Sequence, residues 1–149
     1  LSGQEAQAAA DCFSAGPLEV SIIGDEIGKA SALKMCFAAY TKGTTALLSG
    51  ILAAADDLGV REELETQWSR GGSDFATQTQ NRVRRVTAKA WRFEGEMKEI
   101  ASTLAGCSIP GGFHTAAAEI YHRMANYKDA SETPALEDVL ATLLLQKSE

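Results

Sequence analysis

The residues best suited to chemistry lie in Gly24-Asp25-Glu26-Ile27-Gly28-Lys29-Ala30-Ser31-Ala32-Leu33-Lys34-Met35, where a glycine-marked turn leads into a long apolar stretch. Lys34 is the centre of interest. An amine among Ala, Leu, Met and Phe is costly to bury unless it reaches solvent, a partner or a ligand. Burial favours the neutral amine, and a lysine tuned in that direction exchanges protons with a substrate hydroxyl. The competing reading is a stem laid on the apolar surface with its ammonium in water beside the turn. Spacing alone favours this second reading. Counting along one helical stripe from Lys34 gives Ala38, Thr41, Thr45 and Ser49, a narrow polar line on a greasy cylinder.

Other candidates carry weaker signals. Lys42 lies eight residues after Lys34, turned about 80° around a helix, and reads as a subunit or surface contact. His114, after Pro110-Gly111-Gly112-Phe113, begins a helix beside a loop. A lone histidine there is either a site residue or a structural one. His122 has charged neighbours and reads as surface. No Cys or carboxylate stands at ligand spacing around the two histidines, so no metal site is expected. Gly24…Gly28 is not a dinucleotide fingerprint, which needs three closely spaced glycines after a strand and a ribose-binding acid beyond them.

Composition is that of an ordinary globular domain, and the 149 residues suffice for one real core. A net charge of −6 argues against a nucleic-acid surface. The densest basic run, Arg82, Arg84, Arg85, Lys89 and Arg92, reads as a solvated helix face or subunit contact. Cys12, Cys36 and Cys107 fit neither a disulfide framework nor a zinc site, which points to a reducing, cytoplasmic compartment. No apolar run is long enough to span a bilayer. The start at Leu1-Ser2-Gly3, without Met, reads as the middle of something larger or a cloning boundary.

The elements that must position these residues are almost all helical. Glu5–Phe13 reads as a short helix, and Leu18–Ile23 as one strand whose partner lies elsewhere. From Ile27 to Leu58 no proline interrupts a pattern that is apolar on nearly every face. This predicts one helix of about 45 Å, buried on most sides, with a partner subunit as the source of cover. Further helices are predicted over Arg61–Trp68, from near Asp74 to Leu104, over His114–Tyr127, and from Thr133 as cap with Pro134 at the first position to Leu145. The fold class is therefore mainly α, a bundle of five or six helices built on one long apolar helix and preceded by a short αβ segment.

The Gly24…Gly28…Lys34 spacing, with Lys34-Met35 and Thr41-Lys42-Gly43 downstream, resembles the β-hydroxyacid dehydrogenase superfamily. The likeness is strongest to its 6-phosphogluconate-dehydrogenase-like branch. Pro110 and Tyr121 keep the family's separation between a loop proline and a late helical tyrosine, so the resemblance covers nearly the whole chain. It implies that residues 1–24 end a Rossmann-type domain and that 25–149 form an all-α substrate and dimerisation domain. Lys34 would then be the general acid/base of an NAD- or NADP-dependent oxidoreductase acting on a small hydroxy acid or related carbonyl compound. Gly28 and Ser31 would touch the cofactor, most of which is held by the rest of the protein. Ala38, Thr41, Arg92 and His114 would be substrate contacts, and two copies would pair through the 27–58 helix. The chain departs from the family at Ala38, where the family has Asn, at Ala30 for the second turn glycine, and at Gly95-Glu96, where a substrate-binding lysine is absent. The alternative is a self-associating helical module without catalysis.

Overall fold

The computed structural model describes residues 1–144. Among them the helices are α1 (Ala6–Asp11), α2 (Lys29–Asp57), α3 (Arg61–Trp68), α4 (Phe75–Gly106), α5 (Gly112–Arg123) and α6 (Leu136–Leu143). Single 3-10 turns follow α3 and α5. The mainly helical class read from the sequence is the one observed. α2 and α3 match their predicted spans closely, α4 runs two residues further than expected, and α5 ends at Arg123 with a 3-10 turn replacing its last residues.

One expected element does not form. Leu18–Ile23 is not a strand, and no strand occurs among the described residues. Its last residues run parallel to Leu1–Gly3 instead. The Leu1 amide nitrogen donates to the Ser21 carbonyl (2.6 Å), Ile23 N–H to the Leu1 carbonyl (2.9 Å), and Gly3 N–H to the Gly24 carbonyl (3.1 Å). A ladder needs a neighbour of comparable length. Among the described residues these three bonds are the pairing of this segment with Leu1–Gly3.

The same short segment starts α2. Ser2 Oγ accepts the Ala30 N–H at 3.0 Å, and the Gly28 carbonyl accepts the Ala32 N–H at 2.8 Å. The first of these satisfies one of the helix's orphan donors, and the second is its first intrahelical bond. Gly24 and Gly28 have φ of 128° and 94°, a region that penalises any Cβ, which explains glycine at both turn positions.

By internal contacts the chain divides into two compact units, Leu1–Ala38 and Ala39 onward. The division falls inside α2, and in the second unit the Ala39 carbonyl meets His114 of α5. In the second unit α4 is the spine. Its buried residues Val83, Thr87, Ala90, Phe93, Met97 and Ile100 recur every three or four positions, the period of one helix face. α5 lies along α4 and contributes Ala117, Ala118 and Tyr121. α6 adds Leu136, Val139, Leu140 and Leu143. Full burial of side chains such as Leu52, Met97 and Ile100 stabilises by roughly 1.5–3 kcal/mol each.

α6 starts at Leu136, later than the predicted Thr133-Pro134 cap. Ala135 stays extended at ψ 152°, and the Pro134 carbonyl is engaged by Arg84 Nε at 2.8 Å. That bond from α4 holds the segment straight and delays the first helical turn. The predicted end at Leu145 lies outside the described residues.

Candidate functional site

The first unit carries Gly28, Ser31, Lys34 and Ala38. Lys34 is exposed, with no bonded partner among the described residues, while Ala38, one turn on, is buried at 7 % exposure. The first unit thus leaves the Lys34 side chain exposed. Gly28 and Ser31 are exposed, and a Cβ built on Gly28 meets nothing within 4 Å. The backbone there is open to solvent.

The second unit brings together a polar cluster that sequence reasoning had scattered. Thr41, Lys42 and Thr45 on α2 face Arg82, Phe93 and Glu96 on α4 and Tyr121 on α5. Lys42 Nζ forms an ion pair with Glu96 and stands 4.2 Å over the Phe93 ring. Arg82 donates from Nε to Thr45 Oγ1 (2.6 Å) and from a terminal nitrogen to the Thr41 carbonyl. Tyr121 Oη donates to the Lys42 carbonyl at 2.7 Å, and its ring meets Phe93 edge-on at 5.4 Å. Burial pushes the Tyr121 phenol well above its ordinary range, against a smaller opposing pull from a hydrogen bond with Thr45.

The polar line along α2 is therefore an internal seam. Thr45 and Ser49 are buried, and their hydroxyls donate back to the carbonyls four residues earlier, Thr41 and Thr45, at 2.8 Å each. This is the usual way a helix satisfies a buried hydroxyl. Lys42 differs from its reading as a subunit or surface contact, because Glu96 and Phe93 of the same chain hold it. The sequence carried half of that signal. Gly95-Glu96 drew notice as the place where the resembling family's lysine-aspartate pair would fall, but nothing in the spacing tied Glu96 to an amine 54 residues earlier.

Of the remaining candidates, His114 is buried, with Nε2 3.3 Å from the Ala39 carbonyl and Nδ1 without a partner among the described residues. Its ring and that of Phe113 come so close to Gly43 that a Cβ there would stand 3.1 Å from both. Glycine at 43 thus permits α2 and α5 to touch. Arg92 is exposed, its guanidinium 5.7 Å from the Phe93 ring. His122 is on the surface, as read, with Nδ1 3.0 Å from Glu94. Hydrogen bonds from Lys98 and then His122 hold the Glu94 carboxyl below its usual range.

The helical fold is similar to that of the helical domain of hydroxyacid dehydrogenase-like proteins. The comparisons agree. A family model described as a domain of unknown function, DUF1932, matches residues 55–124. A conserved hypothetical protein from Sinorhizobium meliloti 1021 is 25% identical with a TM-score of 0.76, over 95% of this chain and 49% of that one. The conserved protein MTH1747, of unknown function and reported to have structural similarity with 3-hydroxyacid dehydrogenases, is 30% identical with a TM-score of 0.68. That match covers 97% of this chain and 51% of the other. The chain thus spans about half the length of these solved structures. No curated protein matches it. These findings bear out the resemblance to the hydroxyacid dehydrogenase superfamily and the helical fold expected from it. No helix among the described residues is long and apolar enough to cross a membrane.

Proposed function

We propose that this chain is the helical C-terminal part of an NAD(P)-dependent oxidoreductase. Its substrate would be a small hydroxy acid or a related carbonyl compound, with Lys34 as general acid/base. The reading is carried by one observation: the fold match to MTH1747 spans the segment in which Gly24…Gly28…Lys34 stands. On this reading residues 1–24 close a Rossmann-type domain and 25–149 form the substrate and dimerisation domain. The nicotinamide, when bound, accepts or supplies the hydride. This chain's part is the proton. Lys34 Nζ hydrogen-bonds the substrate oxygen, taking its proton in oxidation and returning one in reduction. The exposed amine is free to do this, and water exclusion falls to the remainder of the protein. Gly28 and Ser31 would approach the cofactor. Ala38, Thr41, Arg92 and His114 are the candidate substrate contacts, with Arg92 an exposed cation among them.

A second copy is the proposed partner. Leu33, Phe37, Tyr40 and Leu47 on α2 are 47–70 % exposed, more apolar surface than one helix normally leaves to water. The same observation favours the alternative of a self-associating module without catalysis. Three exposed thiols, Cys12, Cys36 and Cys107, support a reducing, cytoplasmic setting.

The deciding experiment measures NAD and NADP binding by the full-length gene product, then turnover of a hydroxy-acid panel by it and by a Lys34→Ala variant. Cofactor binding, with turnover reduced at least 10²-fold in the variant, is expected from loss of a general acid/base. No cofactor binding would leave the association module as the reading.

A further inference from the structure

The basic run that reads from sequence as a solvated face does not behave as one unit. Arg84 turns to the Pro134 carbonyl. Arg82, Arg85 and Lys89, spaced three and four residues apart on α4, instead share one wall of an open cleft of about 540 Å³, with Thr45 of α2 and Phe93 also lining it. All of these residues lie in the second unit. The volume is within the range of small-molecule sites.

Charge makes the cleft unusual for this chain. The protein has 20 acidic residues against 14 Lys and Arg, yet the cleft lining holds three cations and no carboxylate. None of the three makes an ion pair among the described residues. Of the nearby acids, Glu96 is paired with Lys42, and Asp74 accepts from the Gln78 amide at the cleft edge without lining the cleft. Arg82 is the informative member. It is half-buried and fixed by two neutral acceptors, Thr45 Oγ1 and the Thr41 carbonyl. Neutral acceptors orient a guanidinium without cancelling its charge. A partly desolvated, uncompensated cation costs free energy that an anion offsets. A solvated basic face would instead carry long side chains with no fixed geometry. Val86 and Phe93 add an apolar surface beside the cations.

We infer that this cleft binds a small organic anion. Its carboxylate or phosphate head would be held by Arg82, Arg85 and Lys89, with an apolar or planar body against Val86 and Phe93. The guanidinium fork suits either head group, and the exposed Arg85 and Lys89 close over it. The inference uses no property of Lys34 and stands or falls apart from the dehydrogenase reading.

The test is binding to the chain, without nicotinamide, of phenyl phosphate, benzoate, inorganic phosphate and the neutral benzyl alcohol, followed by backbone amide shifts and calorimetry. Phenyl phosphate or benzoate should bind at least about tenfold tighter than benzyl alcohol and perturb amides between residues 81 and 93. The Arg85→Gln/Lys89→Gln double variant should bind about tenfold more weakly, with an unchanged melting temperature because both side chains are exposed. The Lys98→Gln variant, changed elsewhere on α4, should bind like the parent. Preference for phenyl phosphate or for benzoate would assign the head group. Equal binding of the anions and benzyl alcohol, no binding of either anion at 10 mM, or full affinity in the double variant would each overturn the inference.

Discussion

Replacing Tyr121 with Phe tests the centre of the second unit. Tyr121 is fully buried, its Oη donates to the Lys42 carbonyl at 2.7 Å, and the ring packs edge-on against Phe93. The variant keeps the ring and leaves no cavity larger than one oxygen, so the loss is that of one neutral hydrogen bond, about 1 kcal/mol near pH 7. Raising the pH should change that difference in a definite direction. Burial holds the folded phenol well above its ordinary value of about 10. At neutral pH the phenol is protonated in both states and contributes nothing to the pH slope. Above pH ~10 the unfolded chain loses the proton while the folded one keeps it, so stability falls as pH rises. The parent then loses about 0.4 kcal/mol at pH 10 and about 1.4 kcal/mol at pH 11 through this group, and Tyr121→Phe loses none of it. The two stability curves should converge above pH 10 and cross between about pH 10 and 11. Urea unfolding of both proteins at steps from pH 7 to 11 measures this directly, since groups common to both cancel in the difference. A gap that stays constant to pH 11 would mean Tyr121 ionises as easily folded as unfolded, and the burial argument would fail. A gap of zero at pH 7 would remove the hydrogen bond instead.

Three further outcomes follow from the packing. A Cβ at Gly111 would stand 2.6 Å from the Ala101 carbonyl oxygen, a backbone atom that cannot step aside, so Gly111→Ala should destabilise by about 1–3 kcal/mol in thermal unfolding. Gly112→Ala, whose Cβ meets nothing within 4 Å, should be neutral or slightly stabilising in the same assay. A double-mutant cycle with Lys42→Met and Glu96→Gln should return a coupling of about 1 kcal/mol, reduced by added salt, because both side chains are only partly covered. Lys34→Ala should leave stability within about 0.5 kcal/mol of the parent, since the side chain is exposed and unpartnered; a larger loss would assign it a structural role.

Helical periodicity and breaker residues were legible in the sequence wherever a pattern is local. α2 follows from proline-free apolar spacing, and α3 and α4 fall within two residues of the spans read from the sequence. Local turn chemistry also announced Gly24 and Gly28, whose positive φ values only glycine adopts cheaply. The family resemblance rested on that turn and on Lys34, and it was legible because both lie within a dozen residues.

What depended on distant partners was not legible. Leu18–Ile23 has strand composition, but a strand exists only with a neighbour, and composition does not record which segment lies alongside. Thr133-Pro134 has a helix-start signature, overridden by the bond from Arg84, 50 residues earlier. The basic run on α4 looks uniform in sequence, and tertiary packing divides it: Arg82 inward to Thr45, Arg84 to Pro134, Arg85 and Lys89 to the cleft. The sequence by itself determined which residues are helical and where the turn glycines and Lys34 fall, since those follow from near-neighbour sterics and period. Only the tertiary structure decided that Lys42 meets Glu96, that Tyr121 is buried on the Lys42 carbonyl, and that Arg82 keeps an uncompensated charge. Those outcomes are set by contacts between α2, α4 and α5, whose relative rotation no single helix's periodicity records.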